Sequence, residues 1–179
     1  MKVIGKALLG FIASVSLLAC AHAPTQPGER ADLVRAARHT LAQMEAKDPS
    51  LGPLLDSAVG YVVFPVVGSG GFIVGGGGGK GVLFENGAAN GFATIEKLQA
   101  GALAGGERYA QVVVIRDRET LRSMKEGRYA LSAQASATLV RAGAASHATW
   151  DKGTAVFIDP TRGAMINASV GGQKIRLSM

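Results

Sequence analysis

The chain has 179 residues, of which 47% are hydrophobic and 18% charged, and its formal net charge is +6. This length fits one domain with a substantial hydrophobic core. A single cysteine excludes a framework of intramolecular disulfides, and the modest positive charge favours anionic surfaces while falling far short of a nucleic-acid-binding tail.

The first twenty residues have the pattern of a secretory signal. Lys2 and Lys6 precede an apolar run over residues 7–18, which is too short to span a bilayer comfortably. The run ends in Leu-Leu-Ala before Cys20, and this resembles a bacterial lipobox, whose cysteine is acylated (palmitate-type chains) and becomes the first mature residue. We therefore expect a signal peptide over residues 1–19 and lipidation of Cys20; an ordinary signal peptide with an incidental cysteine is the alternative.

Cleavage before Cys20 would change the net charge of the chain, and the residue after Cys20 indicates its membrane. Both lysines of the signal would be removed and no acidic residue with them, so the mature chain would carry 17 basic and 13 acidic residues, a net charge of +4. Ala21 stands where an aspartate would commonly retain a lipoprotein in the inner membrane, so we expect the outer membrane, facing the periplasm. Residues 20–29, with two prolines, predict a tether to the domain.

A helical pattern begins near residue 29 and ends near residue 47. Its apolar residues fall within one arc at 100° per residue, with Arg35 and Arg38 outside it. The dipeptide at residues 48–49, Asp-Pro, ends this helix, and a second short helix is predicted over residues 51–57. The residues of the apolar arc are Leu33, Val34, Ala37, Leu41 and Met44.

The stretch from residue 59 to residue 84 combines β-branched and aromatic residues with nine glycines between residues 68 and 81. Because its flanks have strand composition, it predicts a sharply turning sheet region and not a flexible linker. A phosphate-binding loop is excluded by Val74 at its first glycine position and by Gly81 after Lys80. The overlapping G-x-G-x-x-G pattern is followed by a strand where a dinucleotide site needs a helix.

The rest of the chain predicts mostly strands. A short helix over residues 120–126 has Asp117 as N-cap and Gly127 at its end. Helices followed by strands favour an α+β fold, with N-terminal helices packed on a strongly curved, antiparallel, barrel-like sheet. The predicted strands are residues 92–96, 109–115, a period-two segment over 131–139, a hairpin of 154–158 and 164–170, and 174–177.

Patterns for catalysis are absent from the sequence. It contains no S-x-x-K and no G-x-S-x-G, and its cysteine is assigned to lipidation. The three histidines, His22, His39 and His147, have no metal-ligand spacing to one another or to a cysteine. We therefore expect a non-enzymatic protein that needs no cofactor and no metal.

Basic residues are the stronger signal. Arg118, Arg122 and Lys125 project within about 60° of one another on the predicted third helix. Lys174 and Arg176 share one face of the last strand. A merely solvated helix face is the alternative for the first group, because acidic residues lie between its members.

The motifs in residues 58–65, 71–76 and 79–83, with the tail segments 152–157 and 169–174, resemble the SYLF domain from about residue 30 to the end. The resemblance implies a lipid-binding module; eukaryotic members recognise phosphoinositides and bind or bundle actin, and bacterial members are commonly exported proteins or lipoproteins. It also implies lipid contact on a basic N-terminal helix, here the helix with Arg35 and Arg38. The sequence departs from the family at Gly91-Phe92, where many members have a tryptophan, and in the few lysines of that helix.

We therefore expect a SYLF-like domain over residues 30–179 that recognises anionic phospholipids, with phosphoinositide-like head groups, and no nucleic acid. The alternative is a structural or interaction lipoprotein whose partner is an acidic protein or polysaccharide. The candidate head-group ligands are Arg35, Arg38, Lys80, Arg118, Arg122, Lys125, Lys174 and Arg176.

Overall fold

The computed structural model describes residues 24–70, 74–100, 107–132, 136–160 and 172–179. The predicted signal peptide over residues 1–19, Cys20 and the predicted strand 164–170 lie outside the described residues. The elements are α1 (Pro27–Lys47), α2 (Leu51–Ser57), β1 (Gly60–Gly70), β2 (Val74–Glu85), β3 (Ala88–Ala100), β4 (Glu107–Ile115), α3 (Arg118–Lys125), β5 (Ala137–Leu139), a 3-10 turn (Ala145–His147), β6 (Thr154–Pro160) and β7 (Gln173–Ser178).

The strands form one seven-stranded sheet in the order β5-β6-β4-β1-β2-β3-β7. Five of the neighbouring pairs are antiparallel, and β5 runs parallel to β6. The prediction of early helices packed on a sheet is confirmed, but the sheet is mixed and not purely antiparallel as expected, because β5 runs parallel to β6. One of the three α-helices in the described ranges, α3, comes late, between β4 and β5.

The sheet is strongly curved. Gln111 on β4 and Gln173 on β7 are separated by three strands, so a flat sheet would hold their backbones about 19 Å apart. Instead the side-chain Nε2 of Gln111 donates to Oε1 of Gln173 at 3.0 Å. Within the described ranges the end strands β5 and β7 do not pair with each other, so the expected barrel-like core is not confirmed: the sheet is curled but open.

The long period-two strand predicted over residues 131–139 is wrong in its described part. The strand there is β5, with only three residues, while Leu131 and Ser132 are not in a strand. Leu131 is buried and donates its backbone N–H to the carbonyl of Gln173 at 3.1 Å. The two described ends of this segment bond to different strands: Ala130 bridges to Lys174 of β7, whereas residues 137–139 pair with β6, so the alternation does not mark one continuous strand.

Both faces of the sheet are buried, which explains the nearly continuous apolar runs. On the inner, concave face, α3 packs through Leu121 and Met124 onto residues such as Val62. On the outer face, α1 packs through Ala37 and Met44, together with α2. The outer-face strand residues of that cluster include Val63, Val82, Phe84, Val112, Val114, Ala155 and Phe157.

The glycine-rich part of β2 forms a regular ladder with both neighbours. A Cβ on Gly79 would lie 2.4 Å from the carbonyl oxygen of Val66, and one on Gly81 would lie 2.6 Å from a ring carbon of Phe64. Glycine is therefore required for close approach of the neighbouring strand. The ladder shifts register near Pro65, which has no N–H to donate.

We predict that Gly79→Ala destabilises the fold, because the added methyl group meets backbone that has to move. The expected loss is about 1–3 kcal/mol, or several degrees in Tm. Gly52→Ala in α2 is the control, since its Cβ meets nothing within 4 Å and alanine favours helix. Thermal unfolding of both variants tests this; a Gly79 variant as stable as the control would contradict it.

A buried carboxylate joins the end of α1 to the loop before β6. Asp48 accepts backbone N–H groups from Gly143 at 3.0 Å and Ala145 at 2.7 Å, and it also accepts from Ser50. Burial alone would raise the pKa of Asp48, but the hydrogen bonds from Ser50, Ala145 and Gly143 outweigh it and hold that pKa below its ordinary value. The carboxylate therefore fixes α1 and α2 against the loop.

Because the folded pKa of Asp48 lies below its unfolded value, its contribution to stability is present above about pH 4 and is lost as pH falls through the folded pKa. Asp48→Asn should lower the unfolding free energy at neutral pH by about 2 kcal/mol, since an amide cannot accept all these bonds. The gap to the unsubstituted protein should narrow below about pH 4. Denaturant titrations at several pH values measure this difference in unfolding free energy, and Asp32→Asn, at an exposed residue, is the control. A difference that does not change with pH would count against this role of Asp48.

Candidate functional site

Helix α1 crosses the outer face from β3 to β6. Near its start, the guanidinium of Arg30 lies 5.3 Å from the ring centre of Phe92 on β3. At its end, Lys47 Nζ pairs with Asp159 on β6 at 2.6 Å. No helix in the described residues is long and apolar enough to cross a membrane.

The predicted pair on α1 is not assembled into a cationic patch. Arg35 is exposed and forms an ion pair with Asp32 on the same helix. Arg38 lies over the ring of Phe84, with 5.4 Å between the guanidinium carbon and the ring centre. The predicted apolar arc is confirmed, because Ala37 and Met44 are fully buried against the sheet. The apolar side of α1 is therefore occupied by its own domain.

Three other predicted cations come together on the outer face beyond α1, and we name Lys80, Lys174 and Arg176 the β7 patch. Lys80 on β2 and Arg176 on β7 both pair with Thr94 of β3, so they lie in one row. All three side chains are exposed, as the alternation of β7 predicts. Glu96 of β3 pairs with Arg176 at 2.8 Å, while Lys80 and Lys174 have no acidic partner among the described residues.

Helix α3 brings together the remaining predicted cations. Asp117 is the N-cap, as predicted, and accepts the backbone N–H of Thr120 at 2.8 Å. That backbone hydrogen bond is the main cause that holds the pKa of Asp117 below its ordinary value. Gly127, with a φ of 68°, ends the helix in the left-handed conformation.

Arg118, Arg122 and Lys125 line a cleft of about 470 Å³, which we name the α3 cleft. Their predicted common face is thus confirmed. Lys125 Nζ binds the carboxylate of Glu85 at 2.8 and 3.0 Å. Within the described part of the chain, neither arginine has an acidic partner. The other lining residues are Ala58, Val59, Glu85, Asn86 and Leu121.

Sequence reasoning missed the residues that connect these groups. Glu85 and Glu96 each neutralise one cation of a predicted set, across 40 and 80 residues of chain. Arg30 fell at the predicted tether boundary, yet it lies inside α1 and stacks on Phe92. The strand alternation gives the face of each side chain, but only the pairing register gives its partner.

The described structure begins at Pro24, within the segment 20–29 that is predicted as a tether. This proline is buried, and its carbonyl oxygen accepts a hydrogen bond from Arg30 Nε at 3.1 Å. Helix α1 begins at Pro27, inside the segment predicted as tether. The N-terminal segment therefore joins the domain beside Phe92.

Residues 96–178 match the family model described as Ysc84: Las17-binding protein actin regulator. The predicted SYLF resemblance is confirmed over this stretch. It is somewhat less than half of the chain, and it contains α3 and β7 but neither α1 nor Lys80. A search of curated proteins gave no match.

Proposed function

We propose that this protein is a non-enzymatic envelope lipoprotein whose SYLF-like domain binds anionic phospholipids through the β7 patch. The observation that carries the proposal is the assembly of Lys80, Lys174 and Arg176 on one exposed face from distant parts of the sequence, where Glu96 is their one acidic partner among the described residues. The family resemblance supports lipid binding, and phosphoinositide-like head groups belong to the same anionic class. Acyl chains on Cys20 hold the protein at the outer membrane, on its periplasmic side.

The acyl anchor and the β7 patch are expected to make unequal contributions to the free energy of membrane binding. Each Lys or Arg near an anionic surface contributes roughly 1 kcal/mol, so a patch with a net charge of +2 contributes roughly 2 kcal/mol. Each buried acyl methylene contributes about 0.8 kcal/mol, so the anchor supplies most of the affinity. Because the anchor also raises the local lipid concentration, this weak patch suffices to select and orient the domain.

We predict that the chain without residues 1–20 floats with vesicles containing phosphatidylglycerol but not with phosphatidylcholine alone. Binding should disappear as salt approaches 1 M, where the Debye length is about 3 Å. The double reversal Lys80→Glu/Arg176→Glu should weaken it at least tenfold, equivalent to about 1.4 kcal/mol. Equal flotation with both vesicles, unaffected by salt, would refute the proposal.

Two double reversals with the same charge change serve as matched controls. Arg118→Glu/Arg122→Glu tests the α3 cleft, and Arg35→Glu/Arg38→Glu tests the helix that the family resemblance implicates. We expect both to weaken flotation less than the reversal in the β7 patch, because Arg118 and Arg122 line a cleft and Arg35 is paired with Asp32, whereas the β7 patch lies on an exposed strand face.

We further predict that Glu96→Gln strengthens binding to anionic vesicles. The substitution releases Arg176 from its ion pair and adds one net charge to the patch, worth about fivefold in affinity at roughly 1 kcal/mol per charge. Glu126→Gln is the matched control, because Glu126 pairs with Arg128 at the end of α3. Vesicle titrations of both variants measure the difference, and an equal gain for the two would mean that only total charge counts.

The anchor is tested in cells by labelling with a clickable palmitate analogue. We predict a label on the unsubstituted protein and none on Cys20→Ser, which should also leave the membrane fraction or remain unprocessed. An unlabelled unsubstituted protein would rule out the acyl anchor.

A second candidate function, an adaptor for an acidic protein or polysaccharide, is favoured by the α3 cleft. Arg118 and Arg122 are exposed there and lack acidic partners in the described structure, beside the apolar side chain of Leu121. A protein of this kind would retain its partner whatever the lipid composition. Flotation that ignores lipid composition, with partner capture lost in Arg118→Glu/Arg122→Glu, would favour this alternative.

A further inference from the structure

The distance between the proposed anchor and the folded domain is short. Four residue steps separate Cys20 from Pro24, so a fully extended chain spans at most about 14 Å. Pro24 itself is buried and is held by Arg30 at 3.1 Å. If Cys20 is acylated, as the proposed function assumes, the bilayer surface lies within this reach of Pro24.

Pro24 is held on the same side of the domain as the β7 patch. Arg30, which holds it, stacks on Phe92, and Phe92 pairs with Ser178 of β7. The next outer-face row along these strands, two residues or about 7 Å away, contains Thr94 and Arg176. The patch therefore begins one row from the point where the anchored chain joins the sheet.

We infer that the anchored domain docks on the bilayer through the outer face of β3 and β7, with the α3 cleft turned away from the membrane. A domain of this size is about 40 Å across, while charges act over a Debye length of about 8 Å. Basic groups on the face that carries Pro24 therefore respond most strongly to the membrane that holds the anchor. Helix α3 packs on the inner face through Leu121 and Met124, opposite the face that carries α1.

This orientation gives the two basic surfaces different partners. The β7 patch contacts anionic head groups of the anchoring membrane. The α3 cleft stays accessible from the periplasm and is free to take an anionic ligand while the protein is anchored. The inference deepens the proposed function by naming the membrane-facing side.

The experiment uses the full acylated protein in vesicles of phosphatidylcholine and phosphatidylglycerol that contain a head-group nitroxide lipid. The chain has one cysteine, Cys20, so an introduced cysteine carries the free thiol for a fluorophore. Ser178→Cys places the probe on β7 opposite Phe92, the residue on which Arg30 stacks, and Glu119→Cys places it on α3. Both residues are exposed, and neither belongs to the patch or lines the cleft. Quenching by the nitroxide reports proximity to the head groups.

We expect the Ser178 probe to be quenched at least threefold more than the Glu119 probe. Inserting a long Gly/Ser segment between Cys20 and Pro24 should abolish this preference in phosphatidylcholine and preserve it in the anionic mixture, where the patch still orients the domain. Equal quenching of the two probes, or stronger quenching at Glu119, in the anionic mixture would overturn the orientation.

Flotation of the chain without residues 1–20 distinguishes lipid recognition by the β7 patch from the orientation of the anchored domain. If that chain binds anionic vesicles but the Glu119 probe is quenched more, the orientation is wrong while lipid recognition stands. If that chain does not bind and the inserted segment abolishes the preference in both vesicle types, lipid recognition fails, and the orientation of the natural protein rests on the short tether alone.

Discussion

The close approach of β1 and β2 at two glycines is the constraint on which the curled sheet depends. Gly79 and Gly81 lie on the inner face of β2, where the carbonyl oxygen of Val66 and the ring of Phe64 occupy the space that side chains would need. The sheet curls around these contacts until Gln111 and Gln173 meet across three strands. The inner and outer faces of a curled sheet are packed differently, and this determines where charged side chains remain exposed.

A different helix packs on each face of the sheet. Helix α3 packs over the inner core, and α1 lies across part of the outer face, where Asp48 fixes its end. The part of the outer face beyond α1 keeps Lys80 and Arg176 exposed. The β7 patch is therefore exposed because α1 covers only part of the outer face of the sheet.

The sequence predicted what local patterns determine. Helical periodicity located α1, the Asp117 cap and Gly127 bounded α3, and apolar β-branched runs located β4 and β6. A local sequence pattern does not show how strands pair in register. The neighbours of Lys80 and the neutralising roles of Glu85 and Glu96 therefore could not be predicted. The strand predicted over residues 131–139 was too long for a related reason: alternation of small residues does not show that the two ends of the segment meet different strands, β7 and β6.

The central claim is that the outer face of β3 and β7, beside the proposed N-terminal anchor, meets anionic lipid. Paramagnetic relaxation by a gadolinium-chelating lipid in anionic nanodiscs tests it residue by residue on the acylated, ¹⁵N-labelled protein. The account predicts that, apart from the N-terminal segment beside Pro24, amides of residues 94–96 and 174–178 relax fastest and those of α3 remain close to their values without gadolinium. Fastest relaxation in α3, with β7 unaffected, would contradict it.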